Sequence, residues 1–430
     1  MIMKKTYPLV FMIAATSLMP LGIVAFPVNV TLFTVTLYIS AIAGYIGIAF
    51  LLWIYILGAR GVTRFFHDDI GALLKLHDWM GKYGTLLIFL HPIFITISYG
   101  KSWLYTFSPN IATEYDFYVT LGQIALYLLL IVWLASFILR SKLKYRPWKY
   151  IHFISYLILP FALIHIPSTG SSYAVDIVSR LYFWMIVIGF VLFTLFRLRS
   201  ALGSDRQQYT VIKHDNVGDR VYIIQLKPQL ETQWVKPKYG QYIYLRTGVV
   251  SEEHPFSVLD YQPKTGVITI AYKVYGRFTN KLSTIKPGDN MMVSRAYGSF
   301  TSEISSKPVV YIAGGVGVTP FVSRLINESN HREQWLIYAN RNAKSAILLE
   351  YLSKSLGKQL INIYSEVDGV SIDRSLRGKM FRKSLLQSIS KPSDYEYYMC
   401  GPNPLMDSME TELGALGVPK DAIHRESFGF

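Results

Sequence analysis

A chain of 430 residues leaves room for two to four domains, and 51% of it is apolar, most of that before residue 200. Its single cysteine, Cys400, excludes a disulfide framework and a thiolate metal cluster. A formal net charge of +15 could suit a nucleic-acid partner, but the basic residues gather at the ends of apolar stretches, which points to a membrane instead.

Six apolar stretches follow in order, at about 7–26, 30–58, 72–99, 118–139, 149–167 and 176–197, each near or above the ~20 residues that span a bilayer. If the spans alternate, Lys4, Lys5, Arg60, Arg64, Arg140, Lys142, Lys144, Arg146, Lys149, Arg197 and Arg199 fall on one side. Only Lys101 and Arg180 fall on the other, 11 against 2. This bias predicts a multi-pass protein of the cell membrane with both termini cytoplasmic. Lys4 and Lys5 before an apolar run also fit a signal peptide. Without a convincing small-residue cleavage site, the first stretch is expected to be a retained helix.

The third and fifth stretches carry histidines, His77 and His91 at a spacing of 14 and His152 and His165 at a spacing of 13. Imidazole inside a bilayer is costly and is read first as a ligand or relay group. A single histidine on an apolar face is more often a satisfied core residue; four, paired at nearly equal spacing on two helices, reverse that reading. At ~1.5 Å per residue each pair separates its imidazoles by roughly 20 Å along the helix. Two such helices can clamp two stacked haems, one near each face. Both run from inside to outside, so His77 matches His152 in depth and His91 matches His165. Fourteen steps of about 100° return to within roughly 40° of the starting face. Thirteen steps do not, and Pro160, between His152 and His165, is expected to distort that helix. His67, in a polar stretch with Arg64 and Asp68, reads as an interfacial residue.

After Arg199 the chain changes character. A polar linker, Ser200–Gln208, leads into alternating strands at Tyr209–Lys213, Val221–Leu226, Tyr242–Arg246 and Val267–Tyr272, with turns at Asn216–Gly218 and Lys286–Asp289. This predicts a small antiparallel barrel to about residue 305. Short strands at Val309–Ala313, Gln334–Tyr338, Leu360–Tyr364 and Tyr395–Met399, separated by helical stretches, predict a parallel sheet of nucleotide-binding type. The expected domains are therefore 1–200 (membrane), 206–305 (barrel) and 306–430 (parallel sheet).

Three motifs sit in those frames. The strand at Val309 runs into Gly314, Gly315, Gly317, Thr319 and Pro320 before a helix, a turn that lets backbone N–H groups approach a pyrophosphate. Pro320 stands where the usual fingerprint has its third glycine, and such turns also occur without a ligand. Cys400, Gly401 and Pro402 follow the last predicted strand at the carboxyl edge, where open sheets bind ligands. Alone, Cys400 reads as a buried small residue. His254, Pro255, Phe256, Ser257 and Val258 offer a planar ring and a hydroxyl suited to an aromatic ligand with a phosphate. They read equally as a strand with a proline at its start.

Together these residues resemble the ferric reductase and NADPH oxidase superfamily over nearly the whole chain, with the nearest likeness to bacterial NADPH oxidases. The resemblance implies a six-helix transmembrane bundle with two b-type haems, an antiparallel FAD-binding barrel and an α/β NAD(P)H-binding domain. It implies His77, His91, His152 and His165 as haem-iron ligands. His254, Pro255, Phe256 and Ser257 would hold the flavin, Phe256 lining the isoalloxazine and Ser257 bonding near its reactive nitrogen. Gly276 and Thr279 match the segment at the FAD pyrophosphate. Gly314 to Pro320 match the NAD(P)H pyrophosphate loop, Asn340 and Arg341 the ribose segment, and Cys400, Gly401 and Pro402 the element beside the nicotinamide. Glu426 and Phe428 match a terminal acid–x–aromatic element whose ring covers the flavin. Here the chain continues to Phe430, and either phenylalanine could stack. It also has Arg295 before Ala296, Tyr297 and Gly298, where the family usually has a proline before Tyr-Gly. No calcium-binding loop of EF-hand spacing is present.

These likenesses predict electron flow from NAD(P)H through FAD, the inner and then the outer haem, to an external acceptor. Cys400, Ser257 and Phe428 are the expected catalytic groups. Arg341, with Lys344 close behind, favours NADPH over NADH. The outer connections contain only Glu114, Asp116 and Asp176 as acids, scattered, which favours dioxygen over bound ferric iron as acceptor. The expected partners are the bilayer and a small-molecule acceptor, with no nucleic acid and no obligatory protein partner. A cytochrome subunit without its own donor site, or a six-helix channel, would be the other readings. A complete flavin and nucleotide half argues against the first, and a haem absorption spectrum separates the second.

Overall fold

The computed structural model describes residues 2–62, 70–230, 235–249, 251–301, 307–327, 333–367, 370–371 and 374–427, and the chain divides into two compact units, Met1–Leu198 and Arg199–Phe430. The first is helical. Helix α1 (Ile2–Leu18) is apolar but short, and a single further turn, Pro20–Ile23, follows it. Five longer helices come next: α2 (Leu32–Leu57), α3 (Ile70–Ser98), α4 (Glu114–Ile138), α5 (Tyr145–Thr169) and α6 (Ile177–Ala201). Among the described residues these five are long and apolar enough to cross a membrane, whereas the first of the six expected spans falls short.

Hydrocarbon offers the backbone no partners, so an apolar segment satisfies its N–H and C=O groups by coiling on itself. Short polar side chains start the coils. Thr31 Oγ1 accepts from Thr34 N at 3.1 Å while Thr34 Oγ1 accepts from Thr31 N at 3.0 Å, and Thr113 Oγ1 accepts from Asp116 N at 3.1 Å. Helix α2 is the most enclosed. Ala49, Leu52, Ile56 and Leu57 are buried with Leu73 and Met80 of α3, Leu159 and Leu163 of α5, and Tyr182 and Ile186 of α6. A Cβ on Gly47 would lie 3.1 Å from Ile88, so the small residue lets α3 come close to α2. A second cluster, Ala125, Leu129 and Val132 with Ile158, joins α4 to α5. Leu181, Ile188, Leu192 and Leu195 remain exposed on α6, as a lipid-facing surface requires.

Neither histidine-bearing helix is regular. A π turn, Met80–Gly84, interrupts α3 between His77 and His91. Helix α5 breaks at Ile154, where Ile154 N bonds Ile151 O and Leu157 N bonds Ile154 O, both at 3.0 Å and both spanning three residues. Pro160, where distortion was expected, lies within the helical segment Ser155–Thr169 beyond this break. Uniform steps of 100° describe neither helix.

The second unit opens with a closed six-stranded barrel in the order β1-β2-β5-β4-β3-β6. Its strands are β1 (Gln207–Gly218), β2 (Val221–Pro228), β3 (Tyr242–Arg246), β4 (His254–Tyr261), β5 (Ile268–Lys273) and β6 (Asn290–Val293). The hairpin joining β1 to β2 turns at Asp219 and Arg220, with φ of 43° and 58°, later than the expected turn at Asn216–Gly218. Two left-handed residues match the twist of the flanking strands. Strand β4 contains Pro255, which pairs with Tyr244 of β3, whereas pairing with β5 begins only at Val258. The proline therefore sits where one side of the strand is unpaired and costs no ladder bond. At the barrel's start Arg206 is buried, 2.7 Å from Asp205 and 3.0 Å from Glu253, so the expected linker ends in an ion cluster.

Five parallel strands follow in the order β13-β12-β7-β8-β9: β7 (Val309–Gly314), β8 (Gln334–Asn340), β9 (Leu360–Tyr364), β12 (Glu396–Gly401) and β13 (Ile423–Ser427). A two-stranded pair, β10 (Glu366–Val367) and β11 (Val370–Ser371), lies apart. Successive residues of β7 face opposite ways. Val309, Tyr311 and Ala313 pack with Phe321 and Leu325, while Val310 and Ile312 pack with Phe381, Met406 and Leu413. Val221, Leu259 and Ala271 of the barrel belong to the first of these cores. Both faces being covered explains the nearly continuous apolar runs.

Candidate functional site

The membrane unit brings its four histidines together two by two. The rings of His77 and His152 lie 6.1 Å apart between centroids at 69°, and those of His91 and His165 lie 6.4 Å apart at 79°. In three of the four, Nδ1 donates to a main-chain carbonyl of a neighbouring helix: His77 to Ile54, His91 to Ser40 and His165 to Tyr118, each at 2.9 Å. A carbonyl only accepts, so Nδ1 carries the proton and Nε2 keeps its lone pair. That is the tautomer of an imidazole prepared to ligate through Nε2. His152 differs. Its Nδ1 lies 3.3 Å from Ser136 Oγ, and its ring stacks on Trp148 at 5.1 Å and 27°.

The histidines fit because glycines face them. A Cβ on Gly44 would meet His91 Nδ1 at 3.0 Å, one on Gly122 would meet His165 Nδ1 at 2.7 Å, and one on Gly58 would meet His77 Cε1 at 3.4 Å. Neither the glycines nor the carbonyl acceptors were expected from sequence. A small residue on a neighbouring span at the depth of each histidine is the signal that was there to be read. His67 lies outside the described residues.

In the second unit the expected nucleotide residues converge on one edge. Strand β7 has β8 and β9 on one side and β12 and β13 on the other, so the chain reverses its direction of progress between β7 and β12. Open sheets bind ligands beyond the carboxyl ends at such a point. Gly314 and Gly401 end these two strands. A Cβ on Gly401 would lie 3.1 Å from Gly314 N, and one on Gly317 would lie 2.2 Å from the carbonyl oxygen of Cys400. The glycine turn and the Cys400–Pro402 segment are therefore packed backbone to backbone. Gly315 takes φ +55° and has no neighbour that a Cβ would meet within 4 Å. Thr319 Oγ1 donates to Val316 O at 2.9 Å, closing the turn, and Pro320 continues into helix Thr319–Asn327.

Cys400 is buried, in register between Ala313 on β7 and Glu426 on β13. Burial pushes its thiol well up, and the nearby Glu426 adds to the shift, so the sulfur is a neutral thiol and not a thiolate. Asn340 is buried at the end of β8, and Arg341 follows it at the surface. Across from it on the barrel hairpin, Asp219 is held below the usual carboxylate range by Lys273 at 2.6 Å, with Arg341 contributing.

The barrel residues expected at the flavin lie on β4 and the loop ahead of the helix Arg277–Leu282. Phe256 is buried in the barrel core, edge-on to Tyr272 at 5.8 Å. At the start of the same strand His254 stacks on Phe278 at 4.4 Å and 25°. Ser257, on the opposite face of β4, is buried and in register with Tyr242. Thr279 Oγ1 accepts from Tyr275 N at 2.9 Å and from Gly276 N at 3.0 Å, fixing the loop ahead of the short helix Arg277–Leu282. A Cβ on Gly276 would meet nothing within 4 Å. Phe428 and Phe430 lie outside the described residues.

The backbone packing at Gly317 yields a prediction. Gly317→Ala has to push Cys400 and the glycine turn apart. It should weaken pyridine-nucleotide binding by about tenfold or more, roughly 1.4 kcal/mol, with flavin content unchanged. Anaerobic titration of the flavin-loaded protein with NADPH measures this.

Comparison with known proteins agrees with this division of the chain. Residues 43–163 match the family described as ferric reductase like transmembrane component, and residues 311–411 match the oxidoreductase NAD-binding domain. A flavohemoprotein of Bacillus anthracis is 28% identical over 253 residues, 53% of this chain and 61% of that protein. One of Bordetella pertussis is 28% identical over 215 residues, 44% and 52% respectively. The chain thus spans less than two thirds of the length of these curated relatives. Among solved structures, a flavohemoglobin from Malassezia yamatoensis is 21% identical with a TM-score of 0.45, covering 93% of this chain and 98% of that one. The FAD/NAD-binding domain of a nitric oxide dioxygenase from Vibrio cholerae is 24% identical with a TM-score of 0.44, covering 53% of this chain and 100% of that one. The protein is a membrane oxidoreductase in which a ferric-reductase-like transmembrane domain precedes a unit that contains an oxidoreductase NAD-binding domain.

Proposed function

We propose that the chain is a transmembrane NAD(P)H oxidase: electrons from cytosolic NAD(P)H pass through FAD and two b-type haems to dioxygen on the outer face, yielding superoxide. The observation that carries this reading is the doubled pair of facing imidazoles. An atom held between two imidazole nitrogens by bonds of about 2.0 Å, with a ring radius of about 1.1 Å, separates the ring centroids by roughly 6 Å. Spacings of 6.1 and 6.4 Å suit an iron in each pair. The protonated Nδ1 atoms are turned to carbonyls, as second-shell partners of a ligating histidine are. His77 with His152 would form the inner site, and His91 with His165 the outer.

Bound in these places, a flavin would supply two-electron hydride acceptance and haem iron one-electron transfer. The residues do the rest. Gly314, Gly315, Gly317, Thr319 and Pro320 would cradle the NAD(P)H pyrophosphate at the switch point, with Gly401 and Pro402 against them and Asn340 beside the ribose. Cys400, kept neutral by burial, offers a small uncharged surface next to the nicotinamide. His254, Pro255, Ser257, Gly276 and Thr279 would hold FAD, with Glu426 and the terminal Phe428 or Phe430 on its far side. Phe256 would back the flavin's site from within the barrel core. The basic ends of the spans support a cell-membrane protein with both termini in the cytoplasm.

With His91 and His165 both given to the outer iron, the acceptor would have to take its electron without binding the metal. Two of the three acids of the expected outer connections support dioxygen over bound iron, because they are engaged locally. Asp116 Oδ2 accepts from Thr113 Oγ1 at 2.8 Å, and Asp176 Oδ2 accepts from Ser179 N at 2.7 Å. Each serves the start of its helix rather than a shared metal site.

Three measurements test the scheme. His91→Ala should retain a single haem per chain and lose turnover. Gly122→Val, whose first side-chain carbon alone crowds His165, should do the same while leaving the His77 and His152 site filled. A full two-haem spectrum with wild-type turnover in both variants would refute the ligand assignment.

Arg341 would pair with the 2′-phosphate through its planar fork, and Lys344 would add charge. Arg341→Ala should lower kcat/KM for NADPH by about tenfold or more, on the order of 1.4 kcal/mol of transition-state binding, with NADH little affected. An unchanged ratio between the two donors would remove Arg341 from that role.

The acceptor is decided by NADPH-driven turnover of purified protein, assayed in parallel with dioxygen and with ferric chelates. The expected result is oxygen uptake with superoxide formed, and ferric reduction that superoxide dismutase abolishes. Ferric reduction that persists anaerobically with negligible oxygen uptake would make the chain a ferric-chelate reductase using the same path.

A further inference from the structure

One charged side chain of α6 reaches the turn that supports the inner histidine pair, and the outer pair is backed by hydroxyls instead. Arg197 Nη1 donates to the carbonyl of Tyr55 at 2.7 Å, and Nη2 donates to that of Gly58 at 3.2 Å. These carbonyls belong to the last turn of α2 and its cap, where intrahelical donors run out and a cation complements the helix dipole. The same turn orients His77. Ile54 O accepts from His77 Nδ1 at 2.9 Å, and a Cβ on Gly58 would sit 3.4 Å from the His77 ring. Arg197 Nη2 also donates to Tyr156 Oη at 2.9 Å, on α5 four residues beyond His152. Its guanidinium lies over the rings of Tyr55 and Tyr156, 4.6 and 5.0 Å from their centroids. Thus it touches both the turn behind one ligand and the helix that carries the other.

Among the described residues, no charged side chain hydrogen-bonds the outer pair. Ser40 Oγ lies 3.1 Å from His91 Nδ1, and Thr169 Oγ1 lies 3.4 Å from His165 Nδ1.

We propose that Arg197 is the positioning residue of the inner site, holding the His77 turn and the His152 helix in register and supplying a fixed positive charge there. A cation near an iron favours the form with one more electron, so Arg197 raises the inner reduction potential and makes that site the better acceptor from the flavin. This rests on the haem reading above. Arg197 touches no reacting atom in this scheme; it acts through the last turn of α2 and through Tyr156.

The test uses the full-length protein in detergent or nanodiscs, with spectroelectrochemical titration and low-temperature EPR of the low-spin ferric signals. The inner wave is the one lost in His77→Ala. Arg197→Gln should retain both haems, shift the inner wave to more negative potential and leave the outer wave unmoved. Flavin-to-haem transfer should slow accordingly. Arg197→Lys should restore the inner potential, since it returns the charge, while broadening the inner EPR signal because it lacks the two-pronged donor. Tyr156→Phe, which keeps the charge and the ring, should alter the inner EPR signal alone. Loss of only the inner haem in Arg197→Gln would assign the residue to the same site by its positioning role. Two unmoved waves, or equal shifts of both, would overturn the proposal. If Arg197→Gln cannot be isolated, an unaltered inner signal in both Arg197→Lys and Tyr156→Phe overturns it equally. A wild-type protein without haem would instead overturn the reading on which it rests.

Discussion

A neutral imidazole inside an apolar bundle has one N–H to place, and in this protein its placement governs the membrane unit. Three of the four donate to a main-chain carbonyl on an adjoining helix, at Ile54, Ser40 and Tyr118. Those carbonyls already serve their own helices, and their second lone pairs take the extra bond. The gain is twofold. Each polar group that hydrocarbon would penalise is satisfied, and each ring is fixed with its other nitrogen available. Helices α3 and α5 are thereby keyed to α2 and α4 at defined heights. Such close approach would be blocked by a side chain at Gly44 or Gly122.

Other polar groups of the bundle follow the same logic. Trp53 Nε1 donates to Thr16 Oγ1 at 2.8 Å, and Tyr182 Oη donates to the Thr16 carbonyl at 3.0 Å. Helix α1, too short to count as a span by itself, is tied to α2 and α6 through one threonine. Ser136 serves both His152 and Trp148, whose Nε1 donates to it at 3.2 Å.

The soluble unit solves a related problem with bare backbone. Two strand ends, Gly314 and Gly401, meet at the switch point so closely that neither tolerates a Cβ without displacement. The N–H groups of the glycine turn are thereby brought to the carboxyl edge of the sheet, where a pyrophosphate is bound in folds of this type. Cys400 follows from the same packing. It lies under the turn, its thiol is kept neutral, and it contributes shape and no charge.

Composition and period were enough to divide the chain. An apolar half with charges at span ends, then alternating strands, then strands separated by helices specify a membrane bundle, a barrel and a parallel sheet. The pairing of histidines by depth was equally readable, since spacing along a helix is a local property. Strand β6 escaped notice because four residues carry too few alternations to register, and β13 because Ile423–Ser427 is mostly polar; β4 was read only as one of two alternatives because Pro255 opens it. What only the tertiary structure decided was orientation. The direction in which His152 and His165 point depends on a break at Ile154 and on acceptors from other helices, which no angular count along one helix contains. That Phe256 is enclosed by Tyr272 and Phe278 inside the barrel follows from closure between segments separated in sequence. The support of Arg197 for the His77 turn joins residues more than a hundred positions apart. Local pattern determined which residues carry the chemistry, and non-local packing determined which way each of them faces.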